Sequence, residues 1–279
     1  MIKKMNHKKI LYSLVILTLT AGLFANPASA QESEPYSVGD PVGLSSDGEF
    51  QPISSNVSVY GAIQSAESCI YDAKRELIVV PSMGDRQNVQ INNAWVSLIN
   101  SDGSVHTPKW IGVQNFGQRS NLSPSLVLND PLGSEIADGV LYFADRDGGT
   151  SRNDPSTAVI RRFDLETGIP LEDIPIEESP WINDIAVAAD GTIYTTQTGD
   201  IGLNGDPQSW KVWEVSPDGS ISVFAEGEPL NVPNGITTDL DENIVVVNFG
   251  NPDVLTFSPD GELLKIEEAV QAGGDGIEI

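Results

Sequence analysis

Residues 183–194 read Asn183-Asp-Ile-Ala-Val-Ala-Ala-Asp190-Gly-Thr-Ile-Tyr194, and they predict a strand, a tight turn and a second strand. A polar residue leads the stretch, a short apolar run follows, and Asp-Gly marks the turn into the next apolar run. The same layout recurs at 234–245 and at 67–78, and a further copy begins at 275–279. Recurrence of this kind identifies the unit from which the chain is built.

The spacing of these copies is typical of a β-propeller. Asn183 and Asn234 are 51 residues apart, Asn234 and Asp275 are 41 apart, and each interval holds about four predicted strands. Repeats of about 40–50 residues with four strands each are typical of propeller blades. An ordinary β-sandwich is the alternative, but aligned repeats would then be a coincidence. Since no segment shows a sustained helical period, we expect an all-β fold.

The repeats predict four blades and the first strand of a fifth at 275–279. The predicted blades occupy residues 60–115, 117–178, 181–227 and 232–270. The second of these offers no lead residue that matches the other three. Four blades and a fragment at this spacing should not close a ring, so we expect a chain that is truncated at its C-terminus and lacks about two blades.

The first 30 residues are expected to be a secretory signal peptide. Four lysines precede an apolar run from Ile10 to Phe24, and Ala28-Ser-Ala30 has the small residues of a cleavage site. Residues 31–58 are polar and rich in Pro, Gly and Ser, and we expect a flexible leader with one early strand there. The propeller then occupies 59–279. These features predict a protein that is secreted, periplasmic or extracellular, with no membrane anchor once the signal is removed.

The composition narrows the classes of partner and of catalytic site. The chain has 15 Lys and Arg against 40 Asp and Glu, and removal of the signal leaves 11, for a net charge of −29. Such a surface repels nucleic acid and anionic membranes, so neither is an expected partner.

Cys69 is the only cysteine, which excludes an internal disulfide, and its apolar context predicts that it is buried. His106, predicted on the surface, is the only histidine outside the signal, which argues against a Ser-His-Asp triad or a His-rich zinc site.

The residues that lead the repeats share one chemistry, since all carry side-chain oxygens: Glu67, Asn183, Asn234 and Asp275. In a propeller the first strand of each blade lines the central channel, so equivalent positions converge on one axis. Two carboxylates and two amide oxygens, completed by water, suit Ca²⁺, whereas Zn²⁺ prefers His and Cys. Either asparagine taken alone is more typical of a turn at the start of a strand. The four residues in register favour a metal site.

Through short motifs at the starts of its repeats, the chain resembles the SMP-30/gluconolactonase family of six-bladed calcium propellers, relatives of diisopropyl fluorophosphatase and the paraoxonases. The segment Glu67-Ser-Cys-Ile-Tyr71 resembles the family's Glu-Gly-Pro-x-Trp motif, and Asn183-Asp184 resembles its Asn-Asp motif. Pro233-Asn-Gly235 resembles the Pro-Asn-Gly motif, and Gly274-Asp-Gly276 resembles the Pro-Asp-Gly motif. The similarity spans about residues 60–279.

The resemblance assigns roles to these positions. It implies that Glu67, Asn183, Asn234 and Asp275 bind Ca²⁺ or another divalent cation, that Asn183 also faces the substrate, and that Asp275 is the base or nucleophile. Asp184 either orients a ligand or the substrate, or is a satisfied polar residue at the end of a strand. Ser and Cys stand where the family has Gly-Pro, and no counterpart of its substrate-binding arginine is evident. These departures leave the identity of the substrate open.

The expected function is a secreted Ca²⁺-dependent hydrolase of lactones or related esters that acts on a small molecule. The cation would polarise the carbonyl or phosphoryl oxygen, Asp275 would act as base or nucleophile, and the two asparagine amides would lie near the developing oxyanion. Two alternatives stay open. One is a non-catalytic propeller, similar to NHL-type propellers, that binds a ligand or a protein on its channel face. The other is an inactive, truncated relic.

Overall fold

The computed structural model of the chain describes residues 41–44, 50–52, 60–84, 92–113, 121–149, 155–200 and 205–279. The expected signal peptide and most of the expected leader lie outside these residues. The chain divides into two compact units, Met1–Val59 and Tyr60–Ile279. In the first unit, β1 (Pro41–Leu44) pairs antiparallel with β2 (Phe50–Pro52), where the sequence predicts one strand.

The described part of the second unit forms four antiparallel sheets, each with four strands in chain order. The first sheet comprises β3 (Ile70–Asp72), β4 (Leu77–Ser82), β5 (Trp95–Asn100) and β6 (Val105–Ile111). The second comprises β7 (Ser134–Ala137), β8 (Val140–Asp147), β9 (Thr157–Asp164) and β10 (Ile174–Ile176). The third comprises β11 (Ile185–Val187), β12 (Ile193–Gln197), β13 (Lys211–Val215) and β14 (Ile221–Glu226). The fourth comprises β15 (Pro233–Thr238), β16 (Ile244–Asn248), β17 (Asp253–Phe257) and β18 (Leu263–Glu268).

The first strands of the four sheets are neighbours in space. Strand β3 contacts β7, β7 contacts β11, and β11 contacts β15. Side-by-side inner strands with the later strands outside them are the arrangement of propeller blades around a common axis. Each sheet also lies inside one of the four ranges predicted for a blade. The expectation of an all-β, partial propeller is therefore confirmed.

Local turn chemistry explains why the strands end where they do. Between β13 and β14, the Asp218 carboxylate accepts a hydrogen bond from the backbone N–H of Ser220 at 2.9 Å. Gly219 between them has φ of 86°, a left-handed conformation that glycine adopts without steric cost. The pairs Asp102–Ser104 and Asp190–Thr192 repeat this bond in the first and third sheets. The Asp-Gly turns predicted from the sequence therefore close hairpins within the blades.

The hydrophobic core is divided among the interfaces between neighbouring sheets. Val79 of the first sheet and Phe143 of the second belong to one buried cluster. A second cluster joins the second and third sheets and includes Trp213, and a third joins the third and fourth sheets and includes Tyr194 and Phe257. The second and third sheets each pack between two neighbours, so their central strands β8, β9 and β12 read as apolar runs with little alternation.

The segment 275–279, predicted to be the first strand of a fifth blade, is not a strand in the structure. A strand needs a hydrogen-bonded partner along its length, and none of the described strands pairs with this segment. The segment lies instead against β15, where a Cβ atom added to Gly235 would be 2.0 Å from the carbonyl oxygen of Asp275. Glycine at position 235 is therefore what allows Asp275 to approach the inner strand of the fourth sheet.

A network of buried charges lies in the second sheet. The Arg161 side chain, only 2% exposed, donates hydrogen bonds to the carboxylates of Asp145, Asp147 and Asp173, with Nε 2.9 Å from Asp145. Burial alone would lower the pKa of the Arg161 guanidinium. The negative charges of its three carboxylate partners together outweigh burial and raise that pKa above its usual value. The network supplies the partners that buried charges require in a low-dielectric interior.

The described segments contain no helix that is long and apolar enough to cross a membrane.

Candidate metal and catalytic site

The structure gathers all four predicted lead residues into one pocket. Glu67, Asn183, Asn234 and Asp275 line a cavity of about 300 Å³. They come from the first, third and fourth sheets and from the segment after β18, so only the packing of the sheets could bring them together. Their roles as metal ligands and as catalytic groups stay predictions, but the juxtaposition that those roles require is present.

Three of these side chains lie at or near the start of an inner strand. Glu67 lies three residues before β3, Asn183 two residues before β11, and Asn234 is the second residue of β15. Asp275 reaches the same pocket through the contact of its backbone with Gly235. Since the inner strands run side by side around the axis, their starting ends surround a single opening.

The two asparagines of the pocket, Asn183 and Asn234, are both largely buried. Asn183 is 7% exposed and Asn234 is 8% exposed. Within the described residues, neither side-chain amide makes a hydrogen bond to the protein. Neither amide is among the fully buried polar atoms that lack a partner, so both are open to the pocket. Water or a bound group therefore has to satisfy them.

The donor set fits a hard cation. Two amide oxygens beside the Glu67 and Asp275 carboxylates form an oxygen-only arrangement of the kind that binds Ca²⁺. No three His, Cys, Asp or Glu side chains cluster as a metal site within the part of the chain that the structure describes. A cation in this pocket would therefore depend on Asn183 and Asn234 as well as on the two carboxylates.

Asp184 also lines the pocket, but the backbone already occupies both of its carboxylate oxygens. Oδ1 accepts from the N–H of Ile185 at 2.9 Å, and Oδ2 accepts from the N–H of Ile236 at 3.1 Å. A Cβ atom added to Gly133 would be 2.1 Å from Asp184 Oδ1, so the second sheet can pack here only through glycine. These contacts support the alternative in which Asp184 is a satisfied polar residue, and its contact with substrate stays a prediction.

Carboxyl groups with raised pKa values surround the pocket. Burial raises the pKa of Asp184 to about 7, and the negative charges of Glu67 and Glu135 act in the same direction. Burial likewise raises the pKa of Glu135 to about 7, and the nearby Glu278 raises it further. Positive charge bound in the pocket would lower these pKa values and would offset the repulsion among the carboxylates.

The second sheet contributes Ser134, which sequence reasoning missed. The Ser68 hydroxyl donates to the carbonyl oxygen of Leu132 at 2.5 Å, and its Oγ lies 3.0 Å from Oγ of Ser134. Because a serine hydroxyl has one hydrogen, Ser134 must be the donor in the pair, and the lone pairs of its oxygen can accept a hydrogen bond from a ligand. A small polar residue near a turn carries no pattern that distinguishes this role.

The sequence predicted that Cys69 is buried and that His106 is exposed, and the structure confirms only the second of these predictions. Cys69, predicted to be buried, is exposed and lines the pocket. The prediction was wrong because β3 is an inner strand that faces the channel, so an apolar neighbourhood in sequence does not bury every residue before it. His106 is exposed in β6, the outer strand of the first sheet, as predicted.

The chain matches no protein-family model and no curated protein. Among solved structures, it is similar to a gluconolactonase from Xanthomonas campestris, with a TM-score of 0.53, 19% identity, and coverage of 76% of this chain and 64% of that protein. Regucalcin, a calcium-binding protein from Agrobacterium tumefaciens, has a TM-score of 0.49 at 12% identity, with 76% of each chain covered. A catalytically inactive virginiamycin B lyase from Staphylococcus aureus has a TM-score of 0.48 at 13% identity, with coverage of 84% and 64%.

The likeness to the gluconolactonase bears on the fold. The chain spans 64% of the length of the gluconolactonase that it matches. At 19% identity the match shows the fold, and that fold is the one implied by the resemblance of the motifs.

Proposed function

We propose that this chain is a Ca²⁺-dependent hydrolase of lactones or related esters, related to the SMP-30/gluconolactonase family, that acts outside the cytoplasm. The observation that carries the proposal is the pocket in which Glu67 and Asp275 meet the largely buried residues Asn183 and Asn234. The likeness to a gluconolactonase supports the propeller on which the proposal rests.

The four lead residues would hold the cation, and they are the set Glu67, Asn183, Asn234 and Asp275. When bound, Ca²⁺ supplies Lewis-acid polarisation of the ester carbonyl. Asp275 is exposed in the pocket, where it is accessible to water and substrate. In the proposed reaction its carboxylate either takes a proton from the attacking water, or attacks the carbonyl carbon itself to give an anhydride that water then hydrolyses. In both routes the acyl C–O bond of the ester breaks, and the leaving alkoxide takes up a proton to become a hydroxyl group. The asparagine N–H₂ groups are the donors available to the oxygen on which negative charge develops.

The pocket wall also favours a particular kind of substrate. The Ser134 oxygen can accept a hydrogen bond from a hydroxyl group on the substrate, because the hydroxyl hydrogen of Ser134 is used toward Ser68. The surrounding carboxyl groups of Asp184, Glu135 and Glu278 disfavour an anionic substrate. A neutral, hydroxylated lactone meets both conditions.

The first test is a calorimetric titration of the full chain with Ca²⁺ after treatment with a chelator. We expect one site, and we expect Glu67→Gln to weaken it by roughly tenfold or more, because that change removes one of two carboxylate ligands. Glu262→Gln, at an exposed position in the turn before β18, is the matched control and should bind as the wild type does. Absence of binding by a demonstrably folded wild-type chain would refute the proposal and would favour a non-catalytic propeller.

A further inference from the structure

One buried hydroxyl connects the two asparagine-bearing segments of the pocket. Thr196 lies in β12, the second strand of the third sheet, and is 0% exposed. Its Oγ1 accepts a hydrogen bond from the N–H of Asp184 at 3.1 Å and donates one to the carbonyl oxygen of Asn234. The single hydroxyl hydrogen and a lone pair are thus both engaged.

The backbone of Thr196 holds the other asparagine. The N–H of Asn183 donates to the carbonyl oxygen of Thr196 at 2.7 Å, and the N–H of Thr196 donates to the carbonyl oxygen of Asp184 at 3.1 Å. Thr196 therefore binds the Asn183-Asp184 segment through its backbone and Asn234 through its side chain. The bond from Ile236 to the Asp184 carboxylate adds a second link between the same two sheets.

We infer that Thr196 is a positioning residue that sets the separation of the Asn183 and Asn234 side chains and thereby the cation affinity of the pocket. The inference rests on the proposed function, because it assumes that these amides bind a cation. Hydrogen bonds behind a metal ligand orient that ligand, and their loss typically lowers metal affinity by about 10–100-fold. A hydroxyl bonded to Asn234 in one sheet and to the residue after Asn183 in the other acts on two ligands at once.

Thr195 provides a matched control for a purely structural role. It is also 0% exposed, and its hydroxyl donates to the carbonyl oxygen of Asp184 at 2.7 Å. That bond stays within the third sheet and does not reach Asn234. Thr195→Val and Thr196→Val therefore each remove one buried threonine hydroxyl, but only the change at position 196 removes the link between the two asparagines.

The test is calorimetric titration with Ca²⁺ alone of the full-length wild type, Thr196→Val, Thr196→Ser and Thr195→Val, well below their melting temperatures. We expect Thr196→Val to lose at least about tenfold in affinity. Thr196→Ser keeps the hydroxyl and should stay within about threefold of the wild type, as should Thr195→Val.

The possible results separate this inference from the proposed function. Wild-type binding with an unchanged affinity in Thr196→Val would overturn the inference alone, as would an equal loss in Thr195→Val. Absence of Ca²⁺ binding by the folded wild type would overturn both. Should Thr196→Val fail to fold, Thr196→Cys keeps a similar volume with a weaker donor, and wild-type affinity in that variant would also overturn the inference.

Discussion

The Asp184 carboxylate accepts a hydrogen bond from the backbone N–H of Ile236 at 3.1 Å, which joins the third sheet to the fourth in the wall of the pocket. The other carboxylate oxygen accepts from Ile185, so one side chain satisfies two backbone donors. The two blades also share a cluster of apolar side chains, and apolar contacts do not impose direction. This bond therefore specifies how the two inner strands lie relative to each other.

Asp184→Ala is expected to destabilise the chain. The change leaves two backbone N–H groups without their acceptor, and one buried donor without a partner costs about 1–3 kcal/mol. Urea denaturation at neutral pH measures the free energy of unfolding. Asp241→Ala, at an exposed turn position, is the control and should change it by less than about 0.5 kcal/mol. Equal unfolding midpoints for the two variants would contradict the bridging role.

The titration of Glu135 should contribute to the pH dependence of the free energy of unfolding. Its pKa is raised from 4.5 to about 7 in the folded chain, by burial first and then by Glu278. Between those values the folded state holds a proton that the unfolded state has released, so Glu135 lowers stability as pH rises through this window. Glu135→Gln should therefore be more stable than the wild type near pH 7 and show a shallower decline from pH 4.5 to 7.

Urea denaturation across pH 4–8 compares the two chains directly. Asp184 contributes in the same direction, so the decline in Glu135→Gln should be reduced without vanishing. Glu262→Gln, at an exposed position, should follow the wild-type curve. A Glu135→Gln curve parallel to that of the wild type would show that Glu135 titrates normally.

Asp275→Asn should separate activity from folding. The residue is exposed, so we expect the melting temperature to stay within a few degrees of the wild-type value. Loss of the base or nucleophile should lower the kcat for lactone hydrolysis by roughly 100-fold or more. Asp260→Asn, in the exposed turn between β17 and β18, should keep wild-type kcat and KM. Substantial activity in Asp275→Asn would refute the catalytic assignment.

The buried charge network of the second sheet predicts a large effect on stability. Arg161→Met would leave Asp145, which is 2% exposed, without its charged partner. Breaking a buried ion pair in this way costs about 3–5 kcal/mol. Arg162→Met is the neighbouring control, because Arg162 Nε donates to the carbonyl oxygen of Glu172 at an exposed site, and it should cost less than about 1 kcal/mol. Chemical denaturation distinguishes the two, and equal losses would contradict the assignment.

Several features of this protein followed from local sequence alone. The alternation of apolar runs with Asp-Gly turns predicted the four blades, because strand and turn preferences act over a few residues. The lead positions Glu67, Asn183 and Asn234 could be located because each precedes an apolar run at the repeat spacing. In a propeller, equal positions in successive blades converge, so their meeting in one pocket could be expected before the fold was seen.

Other features depended on the packing of the sheets. The exposure of Cys69, the raised pKa of Asp184 and the pairing of Ser68 with Ser134 arise from neighbours that are distant in sequence. No local pattern distinguishes Thr196 from Thr195, yet only Thr196 reaches the fourth sheet. The sequence by itself thus determined which segments become strands and which oxygen-bearing residues lead them. The tertiary structure alone decided how those residues are held, because burial and hydrogen bonding between blades depend on the relative placement of whole sheets.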